Sequence, residues 1–206
     1  MGTESRSGAQ RFFSRWVLAT FGGWLLGVVV ILLLADIGEI AGIGQQFSVG
    51  IGMGWSIGYA QWRIARKWFG ATSDWMWASL VGMGTPFVLA DVVGVSWSGD
   101  RSGEILILYL HVALGGLLVG LWQRRILQPH TARAAWWVAA CSAGWMFAAA
   151  VVTLFVGGHP QSPVELLRNV GGIALGGVAL GVMTGAALVW LLRSRQVGGL
   201  TETLKL

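Results

Sequence analysis

Two long stretches of this sequence contain no charged side chain. They are residues 16–35 (WVLATFGGWLLGVVVILLLA) and residues 170–192 (VGGIALGGVALGVMTGAALVWLL). Each reaches the roughly 20 residues that an α-helix needs to cross a hydrocarbon core about 30 Å thick. Both stretches therefore predict membrane-spanning helices rather than core helices of a soluble domain.

The composition of the whole chain agrees with a membrane protein. Hydrophobic residues make up 55% of it, charged residues only 11%, and the mean hydropathy is +0.67, values that do not suit a water-soluble surface. We predict an all-α integral membrane protein with six transmembrane helices, at about residues 14–35, 44–62, 75–95, 105–122, 135–156 and 170–192.

The cations are distributed very unevenly among the segments that connect these helices. Of the 14 lysines and arginines, all but Arg101 and Arg168 lie in the N-terminal tail, the second and fourth connections and the C-terminal tail. Cytoplasmic connections carry such an excess of lysine and arginine. We therefore expect short cytoplasmic N- and C-terminal tails and a location in the bacterial inner membrane. The net charge of +5 is explained by topology, and we do not expect nucleic acid as a partner.

The chain repeats itself three times, so we expect one transmembrane domain over 1–206, made of tandem two-helix hairpins at about 15–70, 74–129 and 135–194. The first helix of each hairpin carries Trp, then Ala three residues later, then Thr, Ser or Cys. The second helix carries small residues every fourth position, and these ladder positions are Gly50, Gly54 and Gly58, then Val112, Gly116 and Gly120, then Gly177, Gly181 and Gly185.

The ladder glycines predict faces for close helix packing. Helices in lipid associate through backbone approach and dispersion contacts, and small residues every fourth position permit that approach. Three residues beyond two of the ladders come Gln61 and Gln123, whose amides we expect to bond to another helix. Leu188 takes the equivalent place in the third hairpin.

The 13 tryptophans lie mostly near the predicted helix ends. An aromatic belt at the headgroup level is the usual reason for this pattern, so we predict Trp16, Trp62, Trp75 and Trp137 as interface anchors. The alternative is a stacking surface for a pigment, a quinone or an aromatic solute.

Two hairpin endings, GYAQWRIAR (58–66) and GAALVWLLR (185–193), together with the repeated W-x-x-A-[TSC]-x-x-G pattern, support a resemblance. The sequence resembles a group of uncharacterised bacterial polytopic membrane proteins that repeat a G-x-x-Q-W-x-x-L-R hairpin ending. It covers about residues 15–194, although the middle hairpin reads GLWQRRIL (120–127) instead. The resemblance implies the repeated-hairpin fold and no particular activity.

Asp91 and His111 are the ionisable residues that fall inside predicted spans. Such residues are costly in hydrocarbon and therefore mark functional sites by default. If the two meet, the carboxylate would orient the imidazole and leave Nε2 free for a metal, a pigment or a proton. The alternative is that His111 bonds a carbonyl oxygen or Tyr109 while Asp91 lies in interfacial water. We predict no cofactor and no metal site, with pigment ligation by His111 as the exception to test.

Catalytic motifs are absent from the sequence: it has no P-loop, no H-E-x-x-H and no C-x-x-C. We therefore expect a protein that is not an enzyme. The first hypothesis is an accessory or scaffold subunit of a larger membrane complex, or a small homo-oligomer, with lipid and other helices or its own copies as partners. The second is a small-solute permease or the substrate-binding component of one, in which the three hairpins surround a cavity.

Overall fold

The computed structural model describes residues 2–41, 46–94, 101–157 and 160–202, with side chains placed for 8–40, 46–94, 102–157 and 160–192. Within these ranges all regular structure is α-helical, so the all-α prediction is confirmed for them. The helices are α1 (Gly2–Ala41), α2 (Gln46–Phe69), α3 (Asp74–Val93), α4 (Arg101–Leu127), α5 (Trp136–Phe155) and α6 (Pro163–Glu202).

Among the described residues, five helices are long and apolar enough to cross a membrane: α1, α3, α4, α5 and α6. Helix α2 is less apolar, because glycine, serine and glutamine occupy many of its positions, and it buries several of these polar residues against its neighbours. Its role as a sixth span is a proposal that rests on its packing between α1 and α3.

The first and last helices, α1 and α6, extend beyond the predicted membrane spans. Helix α1 begins at Gly2 and α6 continues to Glu202, so the described parts of both tails prolong membrane helices. Helix α6 begins at Pro163, directly after Ser162, and both residue types are common at helix starts. Ser162 Oγ accepts the Glu165 N–H at 3.2 Å, and the Glu165 carboxylate accepts the Gln161 N–H at 2.7 Å, which together resemble a capping box.

The six helices form a closed ring. Each packs against its neighbours along the chain, and α6 packs against α1 to complete the circle. The contacts between α6 and α1 are antiparallel, because Gly185 lies beside Trp16 whereas Gly177 lies beside Trp24. Large apolar side chains such as Leu18, Leu154 and Leu167 cover the outside of the ring, as expected of a surface in contact with lipid.

The ladder glycines lie where one hairpin meets the next. A methyl group at Gly54 would lie 2.6 Å from the Ser79 carbonyl oxygen of α3, too close for a real carbon. The equivalent Gly116 faces Ser142 of α5, and Gly181 faces Val17 of α1, with corresponding distances of 3.0 and 3.1 Å to the α-carbons. The three ladders therefore make three similar interfaces, and the third one closes the ring.

Candidate functional site

Three tryptophans meet near one end of the ring axis. Trp16, Trp75 and Trp137 come from α1, α3 and α5, and each is completely buried. The Trp75 ring lies 5.9 Å from that of Trp16 and 5.7 Å from that of Trp137, measured between ring centroids. We call these three residues the tryptophan cluster. The expectation that they anchor the helices at the lipid boundary needs correction, since a side chain without exposed surface cannot contact headgroups.

Trp62, the fourth residue predicted as an anchor, lies elsewhere. It is half-buried near the end of α2, and the Arg66 guanidinium lies 4.9 Å from the centroid of its ring. A guanidinium over an indole face is a cation–π contact. Trp62 is thus on the rim of the ring, beside the cations that the charge pattern assigns to the cytoplasmic side.

Gln61 and Gln123 hold the tryptophan cluster in place. Trp75 donates its indole N–H to Gln61 Oε1 at 3.4 Å, and Trp137 donates to Gln123 Oε1 at 3.0 Å. The amide nitrogens continue the network: Gln61 Nε2 donates to Thr20 Oγ1 at 3.2 Å. Gln123 Nε2 donates to Ser79 Oγ at 2.9 Å. Each glutamine therefore links adjacent hairpins through buried hydrogen bonds.

At the third interface, between α6 and α1, the tryptophan N–H has a different acceptor. Leu188 replaces the glutamine, and Trp16 donates its indole N–H to Thr184 Oγ1 at 3.0 Å. Thr184 lies one helical turn before Leu188, and its own hydroxyl donates to the Leu180 carbonyl. Cys141, which follows the same repeat as Thr20 and Ser79, is buried and has a free thiol. The cluster is thus only approximately threefold.

The Asp91 carboxylate bonds to the backbone of α2, and no hydrogen bond between it and His111 is found among the described residues. The Asp91 carboxylate accepts the backbone N–H groups of Gln46 and Phe47, at 3.2 and 2.7 Å. These N–H groups begin α2 and have no acceptor within that helix. Asp91 therefore caps α2 from α3.

His111 packs against an aromatic ring. The centroids of its imidazole and the Phe87 ring are 5.3 Å apart. Its Nδ1 atom is buried and has no hydrogen-bond partner among the described residues. Tyr109, the other predicted partner, bonds instead to the Thr153 hydroxyl at 2.7 Å. No group of three or more metal-ligating side chains occurs in the described part of the chain.

An apolar cavity lies on the ring axis, beyond the tryptophan cluster. Its volume is about 180 Å³, and no polar atom contributes to its exposed wall. Helices α1 to α5 all supply lining residues, which are Trp24, Val49, Met53, Met83, Phe87, Leu108, Val112, Trp145, Ala149 and Val152. The site can therefore hold an uncharged molecule by exclusion from water and dispersion contacts. It offers no charged group to a ligand, and the indole N–H of Trp24, one of its lining residues, is buried without a hydrogen-bond partner among the described residues.

The repeat that forms the cluster also forms part of this cavity. Trp24, Met83 and Trp145 each lie eight residues after a cluster tryptophan, which is about 12 Å further along a helix. The repeat of the cluster tryptophans was recognised in the sequence, but these three residues, which line the cavity, were not. The signal was present, because a side chain about two turns beyond a buried one points to the same side of the helix.

No family model, curated protein or solved structure matches this chain. Functional inference therefore rests on the geometry of the ring, the tryptophan cluster and the cavity.

Proposed function

We propose that this protein is a membrane-embedded binding component for a small uncharged solute. The observation that carries the proposal is the axial cavity, an apolar space of about 180 Å³ lined by residues of five helices of the ring. Concave, mostly apolar pockets between helices are common ligand sites. This is the second hypothesis from the sequence, narrowed to solutes without charge, because a charged molecule would lose its hydration and gain no partner.

The ladder glycines support this proposal over the accessory-subunit hypothesis. Gly54, Gly116 and Gly181 all contact helices of the same chain, so these glycine faces are not available to another protein. An accessory subunit or a small homo-oligomer stays a prediction that rests on the short connections and the apolar exterior.

The tryptophan cluster supports a binding component rather than an open channel. It fills the ring axis on one side of the cavity, and its indoles are fixed by buried hydrogen bonds. The charge pattern predicts that side as cytoplasmic. The solute would thus enter from the opposite half of the bacterial inner membrane, and passage to the cytoplasm would require the cluster to separate.

That the protein is not an enzyme stays a prediction, and the cavity is proposed as a binding site only. General acid–base and nucleophilic catalysis need a polar side chain within hydrogen-bond reach of the substrate, whereas the wall is apolar. His111 contacts Phe87 but is not itself a lining residue of the cavity. Pigment ligation by His111 therefore remains a separate prediction.

Native extraction into lipid nanodiscs, followed by size analysis, mass spectrometry and an absorption spectrum, tests the proposal. We expect a small uncharged molecule to accompany the protein and to be lost from Ala149→Phe, which fills the cavity. Ala139→Phe, on the exposed side of the same helix, should retain it. Equal retention by both variants would contradict the proposal. Co-migration with other proteins would instead favour the accessory subunit, and absorbance lost on His111→Ala would assign a pigment to that residue.

A further inference from the structure

We propose that the axial cavity is a slot for a single aromatic ring, so that the solute is a neutral aromatic molecule with one ring and at most a small apolar substituent. This inference rests on the proposed function and specifies its ligand. It follows from the placement of aromatic side chains on two opposite walls, the volume between them and the absence of polar atoms from the lining.

The first wall consists of two indoles in front of α6. Helices α1 and α5 flank α6 in the ring, and they supply Trp24 and Trp145, whose ring centroids are 6.2 Å apart with 34° between their planes. Glycines of α6 make room for this wall. A methyl group at Gly177 would lie 2.7 Å from Cγ of Trp24, so the indole rests directly against the α6 backbone.

The second wall comes from α3, which is opposite α6 in a ring of six helices taken in chain order. Phe87 and Met83 line the cavity from this side, and both are almost completely buried. Phe87 is supported from behind by the His111 imidazole. A flat ligand between the walls therefore meets two indoles on one side and a phenyl ring with a thioether on the other.

The chemistry of both walls favours an aromatic ring over an alkyl chain. Aromatic rings prefer offset or edge-on contacts with one another, and these contribute beyond the buried area alone. A methionine sulfur adds a favourable contact with an aromatic ring, and Met53 and Met83 are flexible enough to adapt to substituents. An alkyl chain would bury comparable area without these terms.

The volume of the cavity matches about one aromatic ring. An apolar cavity of roughly 150 Å³ in another protein holds benzene and otherwise stays dry, and the present cavity has about 180 Å³. A ring with a methyl-sized substituent fits this space. A hydroxyl group on the ring would lose its bonds to water without replacement, because the lining has no exposed polar atom.

Fluorine NMR of the protein in lipid nanodiscs tests the inference with fluorobenzene, 1-fluorohexane and 4-fluorophenol as probes. Binding is measured relative to each probe's partition into empty nanodiscs. We expect fluorobenzene to bind about five- to tenfold more tightly than 1-fluorohexane, a ratio that one or two aromatic contacts supply. 4-Fluorophenol should bind more weakly than fluorobenzene. Equal or tighter binding of 1-fluorohexane would overturn the aromatic slot and leave the proposed function standing.

Two tryptophan variants identify the wall responsible. Trp145→Leu should reduce the preference for fluorobenzene over 1-fluorohexane towards one. Trp136→Leu changes an exposed tryptophan of the same helix and should leave the preference unchanged. An unchanged preference in Trp145→Leu would also overturn the inference.

A variant that fills the cavity separates this inference from the proposed function and does not depend on Trp145→Leu folding. Ala149→Phe should abolish binding of every probe, whereas Ala139→Phe should not. If no probe binds the unmodified protein more than it binds empty nanodiscs, both the aromatic slot and the proposed function fail.

Discussion

Trp137 donates its indole N–H to Gln123, a residue 14 positions earlier in the chain and one helix away, at 3.0 Å. Trp75 and Gln61 have the same separation and the same bond. Each pair joins the second helix of one hairpin to the first helix of the next. The glutamines that follow the glycine ladders thus secure the interfaces that the glycines make close.

Removing one of these amides should destabilise the ring. Gln123→Leu leaves the Trp137 N–H without an acceptor and removes the donor to Ser79, and unsatisfied buried groups cost about 1–3 kcal/mol. We expect a lower midpoint of unfolding in detergent, as measured by tryptophan fluorescence. Gln128→Leu, at an exposed position after α4, is the control. An unchanged midpoint for Gln123→Leu would show that the bond contributes nothing to stability.

A single methyl group should suffice to disturb a ladder. Gly54→Ala places a carbon 2.6 Å from the Ser79 carbonyl oxygen, so α2 and α3 must separate, and overpacking of this kind costs about 1–3 kcal/mol. Gly22→Ala is the matched control, because no atom lies within 4 Å of the added methyl. Thermal unfolding should distinguish the two variants, and equal stability would argue against close packing at this interface.

Asp91 should matter for the start of α2 rather than for proton chemistry. Asp91→Asn keeps one acceptor oxygen and loses the charge, so capping of the Gln46 and Phe47 amides weakens by about 1 kcal/mol. Hydrogen exchange at the first turn of α2 should accelerate, whereas Asp36→Asn, at an exposed position of α1, should not change it. Unaltered exchange in Asp91→Asn would contradict the capping role.

The sixth span can be tested by labelling from the two sides of the membrane. If α2 and α3 both cross, Thr72→Cys and Ser102→Cys lie on opposite sides, since α3 separates them. We expect a maleimide that cannot cross membranes to label Ser102→Cys in intact cells and Thr72→Cys only after permeabilisation. The native Cys141 is buried and should remain unlabelled in both. With a cytoplasmic N-terminus, labelling of Thr72→Cys in intact cells and of Ser102→Cys only after permeabilisation would contradict a crossing by α2.

Much of the architecture could be predicted because hydropathy, charge and repetition act at the level of whole helices. The ladder positions contact neighbouring helices at close range because a four-residue spacing keeps them on one helical face. The sequence did not reveal whether a given face meets lipid, another protein or the next hairpin. That distinction depends on ring closure, and the α6–α1 contact joins residues at opposite ends of the chain.

The tryptophans illustrate the same limit. Trp75 and Trp77 lie near the same end of α3, yet Trp75 is completely buried whereas Trp77 is 48% exposed. Proximity to the interface, which composition predicts well, does not distinguish them. Membership of the repeat does distinguish Trp75 from Trp77, because Trp16, Trp75 and Trp137 share a repeat position that faces the ring axis. The partner of Asp91 lay beyond prediction, since the N-terminal amides of α2 carry no sequence signature.

The closing contact between α6 and α1 has a consequence for biosynthesis. The surface of α1 that receives Gly177, Gly181 and Gly185 is synthesised before helices α2 to α5, whereas these glycines are synthesised after them. The first and second hairpins can pack together as soon as α3 is inserted. The edge of α1 that contacts α6, however, has no helix partner while four further helices are inserted. That edge of α1 stays uncovered until α6 is inserted, so truncation before α6 would leave an open arc of five helices in place of the ring.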